Sequence, residues 1–289
     1  MAQWAGRRVV VTGGSGFLGK RVIDLGQAAG IDLHSLSRSY SENDQAVFHT
    51  VDLTNEEQVR AAIAEIRPDA VLHLASAGVA YGPRALSTLL NTNVTGLAHL
   101  FSALESEGLS IPVVMVGTGY EYAPQTRPVK ETDALLPTTP YSLSKILSLQ
   151  LAGYFAGKFP ITFVRFFNLY GQDQHTSSLL PYIIESARHQ RPIELTKCEQ
   201  IRDFMYVDDA AASLWHVLSS AGPAGAVQVI NVATGVPAVL RNVVLLLGDL
   251  LQEKGFSPQF EFGARPYRTD ESMFFVADVS KMRAVLSWE

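Results

Sequence analysis

The chain has 289 residues, 47% of them hydrophobic, enough to bury a full core as one large domain or as one domain with a smaller lobe. Its 23 basic residues stand against 28 acidic ones for a formal charge of -5, and the cations are scattered rather than striped. That excludes a nucleic-acid surface and leaves room for small anionic ligands at local sites.

The start, "MAQWAGRRVVVTGG", runs into a strand within a few residues and has neither an apolar core nor a cleavage site, so it does not read as a signal peptide. Strands are predicted at "RRVVVTG", "DLHSL", "VFHTVDL", "AVLHLA", "PVVMVGT" and "ITFVRFFN". Helical patterns lie between them, as in "NEEQVRAAIAEIR", where Val59, Ile63 and Ile66 share one stripe. This alternation predicts an α/β fold with a doubly wound parallel sheet. After about residue 170 the rhythm loosens: "SLLPYIIESARHQ" reads as helix, "RDFMYVDDAAASLWHVLSSA" as loop then helix, and "VQVINVA" and "PQFEFGA" as short strands of a smaller lobe. The apolar "VVLLLGDLL", between Arg241 and Glu253, is too short for a bilayer. The lone Cys198 precludes an internal disulfide and no Cys/His cluster has zinc spacing, so a soluble, cytoplasmic, metal-free protein is expected.

The first chemical signal is "VVVTGGSGFLGK". Thr12, Gly13, Gly16 and Gly19 form a strand-to-helix turn whose glycines permit a tight bend and close backbone approach, while the helix start offers free N–H groups to a pyrophosphate. At the end of the second strand Ser37 stands where an NAD-binding acid is usual, and Arg38 follows. A serine beside a cation suits the 2'-phosphate of NADP, unless Arg38 is only a solvated loop residue. Asp52, ending the third strand, suits an adenine amino group or a helix cap.

In "TTPYSLSKILSL", Tyr141 and Lys145 are four residues apart on one helix face, with Pro140 at the helix start. An ammonium about 4 Å from a phenol, at an effective dielectric near 20, favours the phenolate by about 4 kcal/mol, roughly three pK units. The expectation is an acidified phenol fit for acid/base work. Thr118, at the C-terminal end of the fifth strand, could bond the same substrate oxygen. His73 reads as a packed strand residue, and Tyr81 and Arg84 as surface side chains.

These residues resemble the extended short-chain dehydrogenase/reductases of the NAD-dependent epimerase/dehydratase type, the branch acting on nucleotide sugars. The likeness covers nearly the whole chain and rests on "TGGSGFLG", "VDLT", "HLAS", "NTNVTG", "GTGYEY", "YSLSK", "RFFNLYG", "RDFMYVDD" and the tail from "ARPYRTDE" to "LSWE". It implies a Rossmann domain over residues 1–168 and a mainly substrate-binding lobe over 169–289, with some elements returning to the Rossmann domain. The family usually continues through a further helix beyond the point where "LSWE" ends.

Carried over by position, the resemblance implies that Gly13, Gly16, Phe17, Leu18 and Gly19 hold the pyrophosphate, that Asp52 and Leu53 flank the adenine, and that Leu74, Ala75 and Ser76 line the cofactor path. Asn93 would brace the central strands. Tyr141 would exchange the proton, Lys145 would bind the nicotinamide ribose, and Thr118, with Tyr120, would face substrate. Asn168, Arg202 and Arg265 would grip the sugar nucleotide, although Arg202 could instead pair with Asp203 or Asp208. A homodimer is implied as well.

The family's 4,6-dehydratases carry an Asp-Glu pair directly after the active-site threonine, where this chain has Gly119 and Tyr120. Epimerases retain NAD, which agrees poorly with Ser37 and Arg38. The resemblance is strongest to NADPH-dependent reductases of NDP-4-keto-6-deoxyhexoses. The alternatives are an NDP-sugar 4-epimerase with tightly bound NAD and a non-catalytic nucleotide-binding scaffold.

Overall fold

The β-branched runs of the first half become parallel strands in a computed structural model that describes residues 1–38, 46–78, 85–269 and 271–286. Tyr81 and Arg84 lie outside the described residues. In chain order the first half comprises β1 (Arg8–Thr12), α1 (Phe17–Ala28), β2 (Asp32–Ser37), β3 (Val47–Thr50), α2 (Glu56–Ile66), β4 (Ala70–His73), α3 (Leu86–Leu90), α4 (Gly96–Ser106), β5 (Val113–Thr118), α5 (Pro140–Phe155) and β6 (Ile161–Phe166). The remainder comprises β7 (Asn168–Tyr170), α6 (Leu179–Arg188), β8 (Ile193–Leu195), β9 (Ile201–Arg202), β10 (Phe204–Tyr206), α7 (Val207–Ser219), β11 (Gln228–Val232), β12 (Ala238–Val239), α8 (Leu240–Glu253), β13 (Phe260–Phe262), β14 (Phe274–Phe275) and α9 (Ser280–Leu286).

The main sheet has seven strands in the order β3-β2-β1-β4-β5-β6-β11, all parallel. The order reverses between β1 and β4, and a Rossmann-type sheet opens its ligand crevice there, at the C-terminal strand ends. Strand alternation splits the core in two. Val9, Val11, Leu72, Val114 and Val164 face the layer holding Val22 and Trp215. Val10, Val71, Val113, Met115 and Phe163 face the layer holding Ile63, Leu100 and Phe155. Helix α7 reaches α1 closely because Gly26 has no side chain: a Cβ there would stand 2.6 Å from the Trp215 ring. Arg21 then ties the two helices through both oxygens of Asp208, at 2.5 and 2.9 Å.

After residue 168 the chain works on two fronts. Strand β11 joins the main sheet, and Trp215 of α7 and Met282 of α9 enter its core. Ile183, Ile193, Leu195, Leu240, Val244 and Leu251 instead build a separate core beneath α6 and α8. Asp203, fully buried, links the parts: its carboxylate accepts from Thr234 N (3.0 Å), Thr234 Oγ1 (2.6 Å), Gly235 N (2.9 Å) and Ala277 N (3.3 Å).

Two local readings change. The predicted strand "VFHTVDL" stops at Thr50, because Asp52 turns back on Thr54 and Asn55 caps α2 by accepting from Gln58 N. "RDFMYVDD" is not a loop before its helix: β10 pairs in parallel with β7, and α7 starts directly at Val207. Among the described residues no helix is long and apolar enough to cross a membrane.

Candidate active site

The glycine turn has the geometry of a phosphate cradle. Gly13 adopts φ 72°, and a Cβ there would stand 2.8 Å from the Ala75 backbone; a Cβ on Gly19 would lie 2.2 Å from Gly13 O. Gly16 caps α1, and no side chain occupies the cap. The first turn of α1, with Phe17, Leu18 and Gly19, therefore offers its N–H groups outward, as an anionic pyrophosphate requires. Leu74 N donates to Thr12 O (3.1 Å) and Ala75 N to Thr12 Oγ1 (3.2 Å), so the segment Leu74, Ala75 and Ser76 lies along the turn. A dinucleotide fits these residues.

At the end of β2, Ser37 is buried and its Oγ has no hydrogen-bond partner, while Arg38 is exposed. Arg38 lies close enough to Asp52 for its charge to help hold that carboxyl below the usual range, after the larger contribution of the bonds from Thr54. Both of those bonds end on Asp52 Oδ1, at 2.9 and 2.8 Å. The side chain of Leu53 turns into the core instead of outward, and its carbonyl is bonded to His99 Nδ1 at 2.8 Å.

Helix α5 begins on a capping box in which Thr139 and Ser142 bond each other's backbone, with Pro140 in the first turn. Tyr141 thus leaves the first turn at a fixed angle. Gly78, at φ 91°, lies against its ring, where a Cβ would come within 3.0 Å of Cδ2. The Ser76 side chain lies near enough to the phenol to favour its ionised form. Lys145 Nζ sits 5.9 Å from the centre of the Tyr141 ring and donates to Val116 O at 2.8 Å. Thr118 ends β5, is buried, and accepts from Tyr120 N at 3.3 Å.

The expected acidification of Tyr141 by Lys145 is overturned. Burial is the largest influence on the phenol and raises its pKa well above the usual value, with the Glu121 carboxylate pushing the same way; the nearby Ser76 side chain opposes them. Burial also draws the Lys145 ammonium down to about 8, against support from Glu121. Desolvation is the largest influence on both groups. His73 packs as expected: it is buried, bonds Thr12 Oγ1 at 2.9 Å, and is held neutral, down to about 3, by burial and then by Lys145.

Asn93 braces the segment after β4 and helix α5, not the strands themselves. It occupies a π turn (Asn91–Thr95) between α3 and α4. Its Oδ1 accepts from Ala77 N (2.8 Å), and its Nδ2 donates to Ala77 O (3.1 Å) and Ser144 Oγ (2.9 Å). Insertions of this kind re-aim side chains at functional sites.

The remaining substrate-lobe candidates are already engaged. Asn168 Nδ2 donates to Asp203 O at 3.0 Å. Arg202 is buried and paired with Glu271 (2.5 Å), whereas Asp203 and Asp208, its anticipated acids, serve Thr234 and Arg21. Arg265 is exposed, bonds Glu194 at 3.2 Å and lies 5.4 Å from the Tyr182 ring centre. Its solvated pair can be exchanged for a phosphate cheaply, while Arg202 would have to release a desolvated carboxylate. Tyr120 is exposed and stacks on Phe275 at 4.3 Å.

Sequence reasoning missed one buried pair. Glu121 and Arg165, 0% and 1% exposed, meet at 2.8 Å beneath Thr118, whose N–H donates to Glu121 Oε1 at 2.8 Å. The signal was present: an arginine in the apolar run "ITFVRFF" of a wholly buried strand requires a partner.

Residues 9–233 match the NAD dependent epimerase/dehydratase family. The chain belongs to that family. It is accordingly an enzyme of the NAD-dependent type, with the Rossmann-like sheet described above. Its relatives include the CDP-abequose synthase of Salmonella typhimurium, 26% identical over 97% of this chain and 92% of the relative. The GDP-6-deoxy-D-talose 4-dehydrogenase of Aggregatibacter actinomycetemcomitans is 26% identical over 96% and 91%. Among solved structures, the UDP-glucose 4-epimerase of Thermotoga maritima with UDP-glucose superposes with a TM-score of 0.84 at 25% identity, covering 98% of this chain and 93% of that one.

Proposed function

We propose that this enzyme reduces the keto group of a nucleotide-linked 4-keto-6-deoxyhexose, using NADPH. The observation that carries the reading is the character of the residues after Thr118. Elimination of water needs an acid and a base placed at the substrate; the family's 4,6-dehydratases carry an Asp-Glu pair for this, and here Gly119 and Tyr120 hold those places. The next acid, Glu121, is turned inward and committed to Arg165. Thr118, Tyr141 and Lys145 then suit a carbonyl/alcohol interchange. A relative whose name denotes a dehydrogenase acting at position 4 of a GDP-linked 6-deoxyhexose supports the same choice.

When bound, the dinucleotide supplies the hydride. Tyr141, kept protonated by burial, hands its proton to the substrate oxygen as negative charge develops there. Thr118 retains its own hydroxyl proton for that oxygen while a lone pair holds Tyr120 N–H. Lys145, anchored on Val116 O, faces the tyrosine and stabilises the phenolate left behind. Arg265, whose exposed pair with Glu194 is readily exchanged, is assigned to the diphosphate because a guanidinium meets phosphate oxygens two at a time. Arg38 supports NADPH over NADH, since the buried Ser37 brings no charge to repel a 2'-phosphate. Exposed Leu147 and Tyr154 on α5 suit a homodimer.

The test is to incubate the enzyme with a panel of NDP-4-keto-6-deoxyhexoses and follow NADPH and NADH oxidation separately. Rapid NADPH oxidation with at least one sugar is expected. NADH consumption far faster than NADPH would overturn the assignment of Arg38. Tightly bound NAD with no net oxidation of either cofactor would replace the reductase with a 4-epimerase, which the likeness to a UDP-glucose 4-epimerase also supports.

A further inference from the structure

We propose that Glu121 is a positioning residue of this site, locked against Arg165, that fixes Thr118 through its backbone and supplies the buried negative charge facing Tyr141 and Lys145. This rests on the reading of Thr118, Tyr141 and Lys145 as the reacting cluster.

The geometry leaves Glu121 no other work. Both carboxylate oxygens are committed inside the protein, Oε1 to Thr118 N (2.8 Å) and Oε2 to Arg165 Nε (2.8 Å), and the residue is 0% exposed. Glu121 closes a one-turn capping box on Thr118, so the threonine's orientation is fixed from below. Gly117 leaves the space for it: a Cβ there would stand 2.5 Å from Glu121 Oε1 and 2.1 Å from the Phe163 ring. Arg165 is held in turn by Tyr122 Oη at 2.8 Å, which donates to Asn231 Oδ1 at 2.6 Å. The carboxylate therefore cannot swing towards substrate.

A buried ion pair is a poor device for stability alone, because desolvation consumes most of its attraction. Its place beneath the reacting cluster gives it a different use. The charged and titratable groups facing Glu121 are Arg165 from β6 and Tyr141 and Lys145 from α5. Lys145 also faces His73 of β4, which is neutral. Glu121 raises the proton affinity of both Tyr141 and Lys145 and so opposes the loss of the lysine's proton in a dry site.

The experiment follows the seven lysines by carbon-13 NMR of their Cε atoms across pH, with Lys145 assigned through Lys145→Met. Wild type, Glu121→Gln, Glu121→Asp and the double variant Glu121→Gln/Arg165→Met are compared. The double variant removes both charges and spares the fold an unpaired buried arginine. The Lys145 midpoint is expected to fall by about one unit in the Gln variant, to fall less in the double variant, which also removes the Arg165 cation, and to stay near wild type in the Asp variant. The alkaline limb of kcat should move with it, with kcat about 100-fold lower and KM little changed, as for misplacement of a reacting group. An unmoved Lys145 midpoint in a folded Gln variant overturns the proposal, as does a raised midpoint in the folded double variant. Because the NMR readout needs no turnover, a wild-type enzyme inactive on every keto sugar would refute the reductase reading while leaving this one standing or falling on the midpoint.

Discussion

Lys145 exchanges water for packed protein, and half-buried Tyr141 does so in part; the direction of each proton affinity follows from that exchange. A lysine whose folded pKa lies near 8 against an unperturbed 10.5 burdens the folded state wherever both states are protonated, below pH 8. Between pH 8 and 10.5 the unfolded chain holds more protons, so stability rises with pH there. Urea unfolding of wild type compared with Lys145→Met should show wild type gaining about 3 kcal/mol on the variant across that window. A flat difference would mean that Lys145 is solvated. At the cofactor end, Arg38→Asp should raise the KM for NADPH about 10- to 100-fold, the worth of a charge-assisted bond, and leave that for NADH unchanged or lower. Steady-state kinetics with each cofactor checks it.

At the scale of elements, helix α5 is aimed from two sides. Its capping box fixes the start, and the π turn before α4 delivers Asn93 to Ala77 and Ser144. Ser148 Oγ closes the arrangement by donating to Asn93 O at 2.9 Å. Asn93→Ala would strand buried groups of Ala77 and Ser144 and should cost about 2 to 4 kcal/mol. It should also lower kcat, because the helix start carrying Tyr141 loses its tether to the segment after β4. Chemical denaturation and kcat at saturating substrate test the two effects separately, and an intact kcat would show that α5 is aimed by its cap alone.

For the whole molecule, buried polar links join the later elements to the sheet beside the apolar core they share with it. Asp203 is the chief of these, since its carboxylate clamps Thr234, Gly235 and Ala277 while its carbonyl receives Asn168. Asp203→Ala should leave those N–H groups without acceptors and destabilise the protein by at least about 3 kcal/mol. Calorimetry should also show an earlier or split transition as the α6–α8 core loosens from the sheet. A single transition at the wild-type temperature would remove Asp203 as the link.

What the sequence by itself determined is what local physics writes into neighbouring residues. Apolar β-branched runs mark strands, glycines at positions 13 and 19 mark a turn with no room for a Cβ, and the four-residue spacing of Tyr141 and Lys145 sets them on one helix face. Only the tertiary structure decided which charges meet and which way protons are held. Arg202 found Glu271, 69 residues away, instead of its neighbours. Arg165 found Glu121, 44 residues away at the end of the neighbouring strand, and the phenol became a weaker acid than the lysine alone would make it. Desolvation is the reason: its magnitude depends on which distant segments cover a group, and no spacing along the chain records that.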